Sequence, residues 1–368
     1  MVKDVLIDVA PGEVRLAVLE NGEAAEVYIE KREAESLVGN IYRSKVERVL
    51  PGMESAFVDI GLDKNAFLYI KDVCPGEASA GISELLTQGQ EITVQVIKDS
   101  AGTKGPRVTT RLSLPGRYVV LMPGSHAAGV SKKIRDDEER KRLKDIALGH
   151  KPQNAGIVVR TAAEGVAEEQ LTEDIHALEE LWRGLLIKEQ RGAVPRLLYR
   201  EPDMIAKAAR EYLGPDIDRF LINSREEYGK IIASLDAAAP GLKAKVEYFS
   251  KDYDMFEYYH VESAIDEALS RKVWLKSGAY LIFDRTEALT VIDVNSGKYV
   301  GRTDLEETAL KINLEAAEAI AKQVRLRDLS GIIITDFIDM QRKEHREQVV
   351  QALREAVKND KIPTVVVG

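Results

Sequence analysis

Three polar residues stand at the ends of two apolar runs. "LTVIDVN" carries Asp293 and Asn295, and "SGIIITDF" carries Asp336. A carboxylate at the tip of an apolar strand has two readings. It forms an ordinary polar turn, since Asp and Asn side chains bond nearby backbone, or it belongs to a site. A long helical pattern separates the two runs, so together they read as a β-α-β unit, whose strands are commonly neighbours. Their carboxy-terminal ends then share one sheet edge, where α/β sheets place ligands. Two carboxylates brought together repel, and a hard divalent cation relieves that repulsion. Mg²⁺ suits such a pair, because it takes one or two carboxylates and keeps several waters. Asn295 lies two residues beyond Asp293 and so points to the same side of the strand. Its amide is placed to orient the carboxylate. Asp304 and Asp339 are further acids nearby, read as helix amino-terminal caps.

Other residues suggest RNA or phosphate chemistry. Phe57 in "SAFVD" and Phe67 in "NAFLY" sit near the centres of two consecutive strands. On the face of a small barrel they would stack bases; turned inward they would be core. Lys104 and Arg107, in a Gly-rich loop, are placed to contact phosphates. "VVRTAA" puts Arg160 and Thr161 at a strand end. There a guanidinium fork and a hydroxyl either grip a phosphate or are simply solvated. The five His residues have no metal-ligand spacing, Cys74 carries no nucleophile signature, and "AGTKG" is too short for a Walker loop.

These residues need elements to position them. "DVLIDVA" and "VRLAVLENGEAAEVYIEK" read as paired strands with a hairpin at "ENGE". Leu37 to Tyr118 is strand-rich and punctuated by Gly and Pro, which suggests a small barrel. "YVVLMPG" and "AGIVVRTAA" read as strands flanking the charged helix "SKKIRDDEERKRLK". "AAEGVAEEQLTEDIHALEELWRGLLIKEQRG" reads as a long helix. Alternating helices and strands follow from Ile205. Thr303 and Glu306 read as a capping box for the helix "TDLEETALKINLEAAEAIAKQVRLRDL". "QRKEHREQVVQALREAVKN" is a further helix, and "IPTVVVG" reads as a last strand. A chain that stops there is expected to be part of something longer.

Bulk properties bound the function. At 368 residues the chain is expected to hold two to four domains. With 45% apolar and 31% charged residues it belongs with globular proteins. No apolar run approaches the roughly 20 residues that span a bilayer, so no membrane is expected as a partner. One Cys cannot form an internal disulfide or a zinc cluster, which points to a reducing, cytoplasmic setting. A net charge of −9 argues against a uniformly basic nucleic-acid binder. It leaves room for a local basic channel. The basic clusters around Lys132 and Lys322 read as solvated helix faces.

Taken together, the segments resemble the ribonuclease E/G family, in family order and along essentially the whole chain. "LVGNIYRSKVERVLPGMESAFVDIGLDKNAFLYIKDV" is similar to its S1-type RNA-binding domain, and "IVVRTAAEG" to its 5′-phosphate sensor. "LTVIDVNSGKYVG" and "EETALKINLEAAEAIAKQVRLRDLSGIIITDFIDM" resemble its catalytic core. The resemblance implies an α+β multidomain chain. An RNase H-like domain, without its catalytic acids, is expected from residues 1–35 and 205–268. An S1-type OB-fold barrel is inserted at 36–118, a 5′-sensor region follows at 119–204, and a DNase I-like α/β subdomain occupies 269–368.

Roles follow from the same resemblance. Asp293 and Asp336 would bind Mg²⁺, with Asn295 completing the catalytic group. Arg160 and Thr161, beside the backbone at Gly116 and Val120, would hold a 5′-monophosphate. Phe57, Phe67 and Lys104 would anchor RNA. The implied activity is Mg²⁺-dependent endoribonuclease cleavage of single-stranded RNA, with preference for 5′-monophosphorylated substrates, in RNA processing and decay. Family members continue past "IPTVVVG" into a paired-cysteine zinc site and a small domain that support oligomers. No zinc is therefore expected in this chain, and a homo-oligomer is expected of the full-length protein. Two other readings stand beside this one: an RNA-binding fragment with little turnover, and a metal-dependent DNA nuclease.

Overall fold

The computed structural model describes residues 2–31, 36–73, 81–100, 104–214, 216–297, 304–360, 362 and 364–367. The chain is a mixed α+β protein in two compact units. One unit comprises Met1–Lys31 with Asp216–Gly368, and the other Arg32–Pro215.

The first unit begins with the antiparallel meander β1 (Lys3–Ala10), β2 (Glu13–Glu20) and β3 (Glu23–Lys31). Asn21 and Gly22 link β2 to β3, both with positive φ (52° and 81°). Such a turn matches the right-handed twist of its strands.

The second unit contains a closed barrel. Its strands are β4 (Ile41–Leu50), β5 (Ser55–Asp59), β6 (Ala66–Tyr69), β7 (Glu91–Lys98) and β8 (Arg107–Thr109), with the short helix α1 (Ile82–Leu85) between β6 and β7. They run β4-β5-β6-β8-β7, and β7 pairs back onto β4. Val46, Ala56, Val58, Ala66, Leu68, Val94 and Val108 alternate inward and fill the interior. A four-stranded sheet follows: β9 (Leu114–Pro115), β10 (Val119–Pro123), β11 (Ala128–Val130) and, after helix α2 (Asp137–His150), β12 (Ala155–Val159), in the order β11-β12-β10-β9. Helix α3 (Glu168–Glu189) places Leu171, Ile175 and Leu178 against this sheet. Strand β13 (Arg196–Tyr199) adds to β4, and α4 (Met204–Tyr212) closes the unit.

The first unit then resumes. β14 (Arg219–Ile222), helix α5 (Arg225–Ala238) and β15 (Val246–Tyr248) extend the meander into a sheet ordered β15-β14-β1-β2-β3, with β14 parallel to both β1 and β15. Two helices follow, α6 (Met255–Tyr258) and α7 (Val261–Leu269). The last sheet contains β16 (Lys272–Trp274), β17 (Tyr280–Arg285) and β18 (Leu289–Asn295); helix α8 (Leu305–Leu326) leads to β19 (Ile332–Asp336), and α9 (Lys343–Ala356) follows. The order β16-β17-β18-β19 is antiparallel up to β18, and β18 and β19 are parallel. Leu281, Phe283, Ile292 and Val294 on one face of this sheet meet Ile312, Ala316, Ile320 and Val324 of α8 in a common core. This apolar stripe at helical spacing pins the long helix to the sheet.

Two expectations need correction. Residues 364–367 of "IPTVVVG" form no strand, and Val365 and Val367 are 83% and 92% exposed. Apolar residues make a strand only where a partner ladder receives their backbone, and none receives these among the described residues. Asp339 does not cap a helix: the residue before α9 is Arg342, without a side-chain cap. No helix among the described residues is long and apolar enough to cross a membrane.

Candidate active site

In the parallel pairing of β18 with β19, Asp293 and Asp336 are Cα partners. Neighbouring strands lie about 4.8 Å apart, so the two carboxylates leave adjacent points of one sheet edge. Strand alternation decides where they point. Ile292 and Val294 are buried against α8, so Asp293 and Asn295 emerge on the opposite, open face. Asn295 Nδ2 donates to Asp293 Oδ2 at 2.7 Å, as the two-residue spacing suggests. Neither carboxylate is ion-paired among the described residues, and both side chains are exposed. A pair of unneutralised carboxylates suits a hard cation that retains waters. No third His, Cys, Asp or Glu joins them into a larger cluster among the described residues. Just beyond, Gly297 turns the chain at φ 59°, and a Cβ there would lie 2.4 Å from the Gly278 carbonyl oxygen. Only glycine fits this tip without a shift of backbone.

The edge is braced by Asn313, which the sequence did not single out, and by Glu306, in a role other than the expected capping one. Asn313 of α8 is fully buried, and its amide brackets one residue of the loop after β19: Nδ2 donates to the Ile338 carbonyl at 2.8 Å, and Oδ1 accepts from the Ile338 N–H at 3.0 Å. A lone amide within the apolar stripe of "LKINLEAAEAI" was the available signal. Glu306 accepts from the backbone N–H groups of Gln341 and Arg342, at 3.1 and 2.9 Å. Those two bonds, the Arg342 one first, hold its carboxyl below the usual range. The expected capping box does not describe this end. Thr303 lies outside the described residues, and Asp304 is the N-cap, accepting from the Glu306 N–H at 3.0 Å. Glu306 reaches forward to α9 instead of back to the cap.

In the barrel, Phe57 and Phe67 are Cα partners on adjacent strands, with ring centroids 6.0 Å apart at 72°. Their neighbours Ala56, Val58, Ala66 and Leu68 fill the interior, so the two rings lie on the outer surface, half-buried. The core reading fails for both. Lys104, shortly before β8, is exposed. Arg107 is not free for a phosphate: its Nε and Nη2 donate to Asp72 Oδ2 at 3.1 and 2.7 Å.

Arg160 follows β12 and Thr161 opens the next turn. Arg160 N–H donates to the Tyr118 carbonyl at 2.7 Å, and Nη1 donates to the Gly116 carbonyl at 2.8 Å. Arg160 thus lies against the Gly116 segment that the family resemblance sets beside it. The guanidinium is largely withdrawn from solvent; burial pushes its pKa below the ordinary arginine value, against the attraction of Glu211. It forms no ion pair among the described residues. The Thr161 hydroxyl shares a hydrogen bond with that of Ser131 at 2.8 Å, and Val120 lies within β10, opposite Val158. The backbone here already holds an acid. Asp174 of α3 accepts from the N–H groups of Arg117, Tyr118 and Val119, at 3.0, 2.8 and 3.0 Å. A Cβ on Gly116 would lie 2.5 Å from that carboxylate, so glycine is required for its approach. Arg117 also belongs to this cluster, and its Nη2 is buried without a hydrogen-bond partner.

Residues 113–368 match the ribonuclease E/G family. The chain is 42% identical to ribonuclease G of Salmonella typhimurium, over all of this chain and 78% of that protein. The same figures hold for ribonuclease G of Escherichia coli. Ribonuclease E of a Nostoc species is 40% identical over 88% of this chain and 48% of its own length. With its whole length matched by such relatives, this chain belongs to the ribonuclease E/G family.

Proposed function

We propose that this endoribonuclease cleaves single-stranded RNA by Mg²⁺-assisted hydrolysis at the Asp293–Asp336 edge, prefers 5′-monophosphorylated substrates, and acts in RNA processing and decay. The observation that carries the reading is the register of β18 and β19, which pairs two exposed carboxylates that have no ion pair among the described residues. Asp293 and Asp336 would hold the ion, and Asn295 fixes one of them through its hydrogen bond. When bound, Mg²⁺ supplies positive charge against the phosphate and makes water more acidic. In the reaction, a water oxygen bonds to phosphorus in line with the departing 3′ oxygen. The P–O3′ bond breaks, leaving a 3′-hydroxyl and a 5′-phosphate.

Arg160 supports the 5′-monophosphate preference. A half-buried guanidinium with no ion pair among the described residues is poised for an anion, and a terminal phosphate matches its fork. Within this reading Asp174 preorganises the Gly116–Val120 backbone rather than competing for the ligand. The outward pair Phe57 and Phe67 supports base stacking, which is tolerant of sequence because every base has a π-face. The sheet order β15-β14-β1-β2-β3 supports the RNase H-like assignment. Its buried acids Asp4 and Asp8 are engaged by Arg219 and Arg15 and are not free for metal. The single Cys74 supports a cytoplasmic setting.

The test is cleavage of a fluorescent single-stranded RNA, prepared with 5′-monophosphate or 5′-hydroxyl, followed with Mg²⁺ and with EDTA over a range of protein concentrations. Cleavage is expected only with Mg²⁺ and faster on the monophosphate. Equal rates in EDTA would refute the metal role, and equal rates on both ends would refute the sensor.

A further inference from the structure

Among the described residues, α8 covers one face of the last sheet and no helix packs on the other. On its open face the register lines up two rows of side chains. One row runs Lys272, Ile282, Asp293, Asp336. The next runs Trp274, Tyr280, Asn295. The carboxylate pair therefore shares its face with Lys272 and Trp274 of the far edge strand and with Tyr280 of the strand between. Two strand spacings separate β16 from β18, roughly 10 Å.

We infer that Lys272, Trp274 and Tyr280 form a nucleotide platform beside the carboxylates, on which a base close to the scissile phosphate stacks. Trp274 is 57% exposed on an edge strand, while its neighbour Val273 supplies the core contact. Its ring meets Tyr280 edge-on, with centroids 5.3 Å apart at 64°. Lys272 Nζ lies 3.7 Å from the Trp274 centroid and 3.6 Å from the Tyr280 centroid. It forms no ion pair among the described residues. A lysine held by ring faces rather than by a carboxylate is available to a phosphate. An exposed indole with a cation fixed beside it is the pairing that grips single-stranded nucleic acid: stacking for the base, charge for the backbone. Roughly 10 Å is the reach of one or two nucleotides, so the occupant is the same RNA strand the carboxylates act on.

This inference rests on the proposed nuclease reading, and the experiment separates the two. Single-turnover cleavage of a 5′-monophosphorylated RNA with one cut site is measured for the 368-residue chain and for Asp293→Asn, Trp274→Ala, Trp274→Phe and Lys272→Gln. Trp274→Ala is expected to lose about tenfold in kcat/KM, almost all of it in KM. Trp274→Phe is expected to recover most of that loss, and Lys272→Gln to weaken the salt dependence of KM. An abasic nucleotide is then walked along the RNA. One position within about two nucleotides of the cut should cost the parent chain about tenfold and cost Trp274→Ala nothing, because the stacking partner is already gone. Thermal melting of Trp274→Ala should match the parent, since the ring is mostly exposed. Loss of cleavage in Asp293→Asn with Trp274→Ala unchanged would overturn the platform alone. Undiminished cleavage in Asp293→Asn would overturn the nuclease reading beneath it.

Discussion

Asp293 and Asp336 stand opposite each other across a parallel strand pair, and Asn295 bonds the first of them from the same strand. That arrangement follows from a strand period of two and from α8 burying the alternate residues. It gives Asn295 a defined task. Asn295→Ala leaves both carboxylates but frees Asp293 to rotate. Cleavage is expected to fall about 10–100-fold, with more Mg²⁺ needed for half-maximal rate. An unchanged Mg²⁺ requirement would remove the orienting role.

The loop after Asp336 depends on Asn313. Asn313→Ala leaves the half-buried N–H and carbonyl of Ile338 without the partners Asn313 gives them. Stability should drop by about 1–3 kcal/mol, and cleavage at saturating RNA should fall more than RNA affinity. Denaturant melts and single-turnover rates check both. A variant as stable and active as the parent would show that the loop is held elsewhere.

The parts legible in the sequence were those set by local period. Two apolar runs, a helical stripe and the two-residue offset of Asp293 and Asn295 were enough to place the carboxylate edge. The alternation of "SAFVD" and "NAFLY" was compatible with either facing, and only barrel closure turned Phe57 and Phe67 outward. Bonds between distant segments were not legible. Asp174 reaches amides 55 to 57 residues earlier, Asp72 takes Arg107 from 35 residues away, and Asn313 meets Ile338 25 residues later. No local pattern encodes which loop passes over which helix. "IPTVVVG" misled because apolar composition marks a strand only when a neighbour exists to pair with it.

Arg160 is a desolvated cation bonded through Nη1 to a neutral carbonyl. Arg160→Ala is expected to bring the ratio of rates on 5′-monophosphate and 5′-hydroxyl RNA close to one, with little change on the hydroxyl substrate. Arg160→Lys should restore only part of the ratio, because a lysine lacks the bidentate fork. A ratio unaffected by Arg160→Ala would refute phosphate sensing here.

Glu306 links the start of α8 to the start of α9 through two backbone bonds that keep its carboxyl below the usual range. A carboxyl depressed on folding contributes stability above its unfolded pKa, about 4.3, and loses it as pH falls through the lower folded value. The melting-temperature gap between the parent and Glu306→Gln should therefore be full at neutral pH and shrink below about pH 4.3. A gap that widens on acidification would contradict these bonds.

The proposed chemistry requires Asp293 and Asp336 together to hold the ion that cleavage needs. The most direct measurement is single-turnover cleavage by Asp293→Asn and Asp336→Asn, with RNA affinity measured in parallel. Each variant should bind RNA within about threefold of the parent and lose at least about 10³-fold in cleavage, the scale of several kcal/mol of transition-state charge stabilisation. Cleavage that survives either substitution at near-parental rate would contradict it.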